Sequence, residues 1–214
     1  MSKAVLLALP ALLSLAGCGA RDAYLWTGYR APAAGSFRAT SADGTCPAIG
    51  IQNLTPRDAE TIVAAAREVC GIFHSEEFAR AAAAKTDWLA SCDGAFGRPQ
   101  TVTGAELVAL LRRPKPAVSV IARKPVAAIA KVEPANGRLA IRQQWFSYWP
   151  DGTIDQRANL VATVAHEFTH LSSLRFLDSG MSKACGRDRL ASYAVGELAG
   201  EVWLEQQRTR VAQR

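Results

Sequence analysis

The chain is poor in histidine, with three in 214 residues, and it holds no Cys-x-x-Cys pair. Without close cysteine pairs, a structural zinc site built on thiolates lacks its usual sequence signature. A glycine-rich phosphate loop, a serine nucleophile elbow and a dinucleotide-binding fingerprint are all missing, so nucleotide binding and serine hydrolysis have no motif to rest on. There is no internal repeat and no inner domain boundary, which sets aside solenoid and tandem architectures. The net charge of +6 is spread along the chain rather than gathered into a patch, which argues against a nucleic-acid interface. The apolar run from Ala4 to Ala16 is shorter than the ~20 residues a permanent spanning helix needs.

That run has another meaning. Met1-Ser2-Lys3 ahead of it gives a basic start, and the whole has the layout of a secretory signal. Its end, Leu15-Ala16-Gly17-Cys18, resembles the lipobox of bacterial lipoproteins. The resemblance implies a signal peptide over 1–17, cleavage before Cys18, and acylation of that cysteine. Several acyl chains there tether the mature chain to a lipid bilayer, each buried methylene adding roughly 0.8 kcal/mol. Gly19, where Asp would signal retention, implies the periplasmic side of the outer membrane within a bacterial cell envelope.

Removing Cys18 from the five cysteines leaves Cys46, Cys70, Cys92 and Cys185. An even number in an oxidising compartment suggests two disulfides. Residues 18–47 are rich in Ala, Gly, Ser, Thr and Pro and read as a tether, with Tyr24, Trp26, Tyr29 and Phe37 able to pack part of it on the domain that follows over 48–214.

Thr55-Pro56-Arg57-Asp58 opens a helix with cap, proline and first-turn acid. Its apolar face is Ile62, Val63, Ala66, Val69 and Cys70, and Gly71 is placed to end it. Ser75-Glu76-Glu77 opens a second helix to about Ala90, and Thr103 to Glu106 forms a capping box for a third that stops before Pro114. The segments 117–123, 126–132 and 139–148 read as strands, with Asn136-Gly137 a hairpin turn. A helix from Asp155 to about Phe176 follows, striped by Leu160, Val161, Val164, Phe168, Leu171 and Leu174, and a last helix runs from Asp188 to about Arg208. A first helix of this length separates Cys46, ahead of it, from Cys70 at its far end by roughly 24 Å. That favours Cys46–Cys92, leaving Cys70–Cys185.

Two of the three histidines stand in His166-Glu167-Phe168-Thr169-His170. Residues four apart share one helix face, so two imidazoles at this spacing can hold one zinc, with the intervening Glu167 as general base. Zinc in a catalytic site takes three protein ligands and keeps a position open. Ser173 and Phe176 stand where the metzincin extension needs Gly and His, which excludes that branch. His74 lies far upstream and reads as a surface residue before a helix cap. In the last helix, Glu197 and Glu201 are again four apart. The stretch from Leu160 to Glu205 thus resembles the gluzincins, in which a downstream helix supplies a glutamate ligand and an acid one turn later supports a ligand histidine.

The resemblance implies an α+β, zincin-like fold: N-terminal helices, a small antiparallel or mixed sheet, the histidine-bearing helix and a C-terminal glutamate-bearing helix. It implies Glu197 as third ligand and Glu201 behind it, although the two can exchange roles and Glu201 stands where many gluzincins have Asp. The string Tyr193-Ala194-x-x-Glu197-Leu198-x-x-Glu201 is also similar to antirestriction-type zincins. Tyr193 is placed either to stabilise an oxyanion or to pack in the core. The resemblance further implies a peptide or protein substrate lying along an edge strand, for which 139–148 is the candidate. Trp145, Phe146, Tyr148 and Trp149 line subsites or belong to the core. The expected activity is peptide hydrolysis with zinc as cofactor and no nucleotide or nucleic acid. The competing reading is a metal-binding structural or assembly lipoprotein with little turnover. A non-peptide substrate such as a cell-wall cross-link is a third.

Overall fold

In the computed structural model the described residues are 37–42, 44–91, 100–123, 129–133, 137–172 and 190–213. Cys18, Cys92 and Cys185, with Ser173, Leu174, Phe176 and Asp188, lie outside them. The long helix α1 spans Pro56–His74 and starts as its sequence dictates, with the Thr55 hydroxyl accepting from the Asp58 amide. It does not stop at Gly71. Ile72 and Phe73 are fully buried, and burial of each is worth about 1.5–3 kcal/mol. That outweighs the ~0.5–1 kcal/mol a helical glycine costs. Ser75 ends α1 and also caps α2 (Glu76–Ala84), accepting from the Phe78 amide.

α2 is shorter than the sequence suggests. Trp88–Ser91 turns away as strand β3, pairs antiparallel with β4 (Gln100–Val102), and ties back to α2 through the Trp88 indole N–H donating to Ala82 O. The pair β3–β4 forms a separate two-stranded sheet. α3 (Gly104–Leu111) carries the expected Thr103–Glu106 capping box, whose hydrogen bonds hold the Glu106 carboxyl below its ordinary range.

The larger sheet has five strands: β1 (Phe37–Arg38), β2 (Ile49–Gly50), β5 (Val118–Arg123), β6 (Ala130–Glu133) and β7 (Arg138–Arg142). Their order is β1-β2-β5-β7-β6, with β2–β5 and β5–β7 parallel and both outer pairs antiparallel. The fold is therefore α+β with a small mixed sheet. Gly137 adopts a positive φ of 58° where the chain turns from β6 to β7, as the hairpin reading requires. Two strand expectations are corrected. Residues 143–148 do not prolong β7 but wind into a 3-10 helix (Gln143–Tyr148), whose Phe146 is buried and whose backbone is held by the Thr61 hydroxyl donating to Phe146 O and Trp149 O. And β7 is internal, bonded on both sides, so it offers no free edge; the edge nearest the histidine helix is β6.

Helix α4 (Ile154–Thr169) opens with a Thr153–Gln156 capping box, and α5 spans Ala191–Ala212. The stripe Leu160, Val161, Val164, Phe168 and Leu171 is buried in one core with α1 and β7. α4 packs chiefly on α5. Gly196 lets it do so closely: a Cβ there would lie 2.7 Å from Ala162 O and 3.2 Å from His166 Cβ. Gly200, one turn on, faces Ala162 and Ala158 in the same way.

The expected disulfides are also corrected. Cys46 pairs with Cys70, with Cα atoms 6.0 Å apart, so neither Cys46–Cys92 nor Cys70–Cys185 forms. Helix length alone leaves out the extended segment between Cys46 and α1. Nine extended residues after Cys46 can reach about 30 Å, while α1 from Pro56 to Cys70 rises only about 21 Å. The chain runs out through β2 and returns through α1, bringing Cys46 to the far end of the helix. Part of the segment read as tether joins the fold as well: Phe37 pairs across to Gly50, and the Thr40 hydroxyl donates to Pro47 O.

Candidate metal centre

His166 lies in the last turn of α4, and His170 is its C-cap residue, its amide donating to Glu167 O. Both rings are half-buried. Their i, i+4 relation survives the helix end because His170 keeps helical backbone angles, φ −69° and ψ −15°. The two Nε2 atoms face each other at 3.3 Å. Two nitrogens bound at 2.0–2.1 Å to one tetrahedral zinc stand about 3.4 Å apart. The spacing of the pair is thus compatible with one metal ion between them, and without an ion the two nitrogens are within hydrogen-bond distance of each other. The C-terminal end of a helix, carrying partial negative charge, also suits a cation.

Glu167, between the two histidines in sequence, is 3 % exposed. Its Oε2 accepts from the Val132 amide at 2.7 Å. In β6 the hydrogen-bonded pair Ile129–Arg142, with Arg142 N donating to Ile129 O, sets the alternation. Lys131 and Glu133 then bond inward to β7, and Val132 directs its N–H to the free edge. A buried carboxylate with a charge-assisted hydrogen bond thus links α4 to the edge strand. No sequence signal announces this partner, because a backbone amide on an edge strand has no residue signature.

Tyr193, in the first turns of α5, lays its ring 4.5 Å from the His166 ring at 56°. His166 also meets His170 edge-on, with centroids 5.0 Å apart. Gly196 next to Tyr193 makes this approach possible. The spacing Gly196-x-x-x-Gly200 was the signal available in the sequence, since two glycines four apart in a helix mark a close helical contact. Glu197 follows Gly196 and lies one turn after Tyr193; Glu201 is one turn further, and both side chains are exposed. The Glu197 carboxylate does not stand with the two imidazoles as a compact three-donor group among the described residues. Trp145, Tyr148 and Trp149 are half-buried against the core, and the Trp145 and Tyr148 rings meet tilted at 47° with centroids 4.9 Å apart.

A second cluster was not anticipated. Cys46, Cys70 and His74 bring their donor atoms within 4.8 Å of one another, and such a group can hold a metal ion. Cys70 and His74 are four apart in α1, a pairing present in the sequence but passed over because His74 reads as a surface residue. It is indeed exposed, and its Nε2 lies 3.1 Å from Thr45 Oγ1. Comparison with known protein families, with curated proteins and with solved structures finds no match for this chain.

Proposed function

We propose that this protein is a zinc-dependent peptidase anchored in the bacterial cell envelope, with a zincin-like arrangement of its helices. The observation that carries the reading is the 3.3 Å approach of His166 Nε2 to His170 Nε2 beside the buried Glu167. His166 and His170 would hold the zinc, and Glu197 on the facing helix would complete the set with Glu201 behind it. When bound, zinc supplies a Lewis acid that acidifies water and polarises a carbonyl. The remaining work falls to the chain itself. Glu167 takes a proton from water at a carboxylate oxygen and delivers it to the leaving amine. Tyr193 fixes the His166 ring by stacking. The lipobox at Cys18 supports the anchored location. The outer edge of β6, where Glu167 holds the Val132 amide, suits an extended peptide better than the internal β7.

The test is Glu167→Gln in the full chain, assayed on envelope proteins with and without chelator. Zinc content should stay at the parent's level while chelator-sensitive cleavage falls by about 10²–10⁴-fold. Undiminished cleavage would refute the mechanism.

One observation favours the second reading, a non-catalytic metal-binding lipoprotein. Glu167 is engaged by the Val132 amide, as a buttress between helix and sheet would be. Under that reading the parent binds zinc but shows no chelator-sensitive cleavage, and Glu167→Gln lowers only its stability.

A further inference from the structure

At the other end of the molecule's polar chemistry, two segments converge on one point. Thr45 and Cys46 arrive on the loop before β2; Cys70 and His74 arrive on the last two turns of α1. Cys46 and Cys70 are buried and bonded to each other, while His74 is exposed and closes the outer side. All three donor atoms lie within 4.8 Å of one another. We propose that this corner is a redox-gated site for a divalent thiophilic cation, empty as the disulfide and competent as the dithiol.

The chemistry follows from the donors. A disulfide sulfur is a poor ligand, whereas a thiolate is the metal-binding form. A dithiol reductant transfers two electrons and two protons to the Cys46–Cys70 bond, which opens to two thiols as the reductant closes to its own disulfide. Metal binding then displaces the two thiol protons. Two thiolates balance the charge of one divalent cation, so the complex is neutral where it is buried. His74 adds a borderline nitrogen donor, giving a Cys₂His set with one open position, a composition that suits zinc. His74 faces solvent, so the ion has a way in without disturbing the core. Thr45, bonded to the His74 ring, fixes its orientation as outer partners of metal-binding histidines do.

The experiment needs no change to the histidine pair of α4. The full chain is reduced with a phosphine, checked for retained helicity by circular dichroism, and alkylated with and without zinc. Modification is read on the peptides carrying Cys46 and Cys70. Zinc should protect both cysteines, chelator should restore their labelling, and the oxidised chain should label at neither. Cobalt in place of zinc should give a thiolate charge-transfer band in the near ultraviolet, which a histidine–carboxylate site does not produce. His74→Ala should raise the zinc needed for half-protection by at least about tenfold. Equal labelling of the reduced chain with and without zinc would overturn the proposal. So would His74→Ala protecting as well as the parent, or a chain that unfolds on reduction.

Discussion

The ends of α1 and α4 repeat one design with different outcomes. Each closes with two side chains of metal-binding type four residues apart, Cys70 with His74 and His166 with His170. At α1 the third donor, Cys46, arrives on a loop and is already bonded to Cys70. At α4 the third donor is expected from the facing helix, and Glu197 stands exposed beside Gly196. Helix periodicity makes the pair, but the third ligand is a tertiary product. A covalent bond fixes Cys46 in one place, and in the other the proposed donor, Glu197, is an exposed side chain on the facing helix.

The sharpest way to break the comparison is to remove the mobile third donor. Glu197→Ala should abolish stoichiometric zinc at the histidine pair, whereas Glu201→Ala should weaken zinc by only about 10–100-fold. Zinc titration of both variants, with the cysteines kept oxidised, checks this; equal effects would remove the distinction between ligand and support. The fixed corner is tested next. Replacing Cys46 and Cys70 together by Ala opens a crosslink between residues 24 apart in sequence. Loop-closure entropy puts the cost at about 3.5 kcal/mol, readable as a lower denaturant midpoint. An unchanged midpoint would mean that strands β1 and β2 alone hold that corner.

The smallest effect is expected where α4 meets α5. Gly196→Ala sets a Cβ 2.7 Å from the Ala162 carbonyl, a backbone atom that cannot turn aside. The helices must part slightly, at about 1–3 kcal/mol. Because the same Cβ would crowd His166, zinc affinity should fall with stability. A variant that loses stability but binds zinc as the parent does would separate the packing from the site.

Much of this was legible because it is local. Thr55, Ser75 and Thr103 announce the three N-terminal helices, and their side chains cap as their positions suggest. The stripe from Leu160 to Leu171 faces the core, and His166 and His170 meet. The misses are of another kind. Gly71 ends no helix because Ile72 and Phe73 gain more by burial than the glycine loses. Trp88 leaves α2 to pair with a strand that short polar neighbours conceal. The strand after Gly137 is internal because β5 lies parallel beside it, which no turn residue can report.

The sequence by itself determined most of the elements and the two i, i+4 side-chain pairs, since caps, periodicity and spacing act within a few residues. Only the tertiary structure decided that Cys46 meets Cys70, that β6 is an edge strand of the larger sheet, and that Glu167 bonds the Val132 amide. Each of those depends on how far extended chain and helix carry the backbone before they meet, a sum over many residues that no local pattern contains.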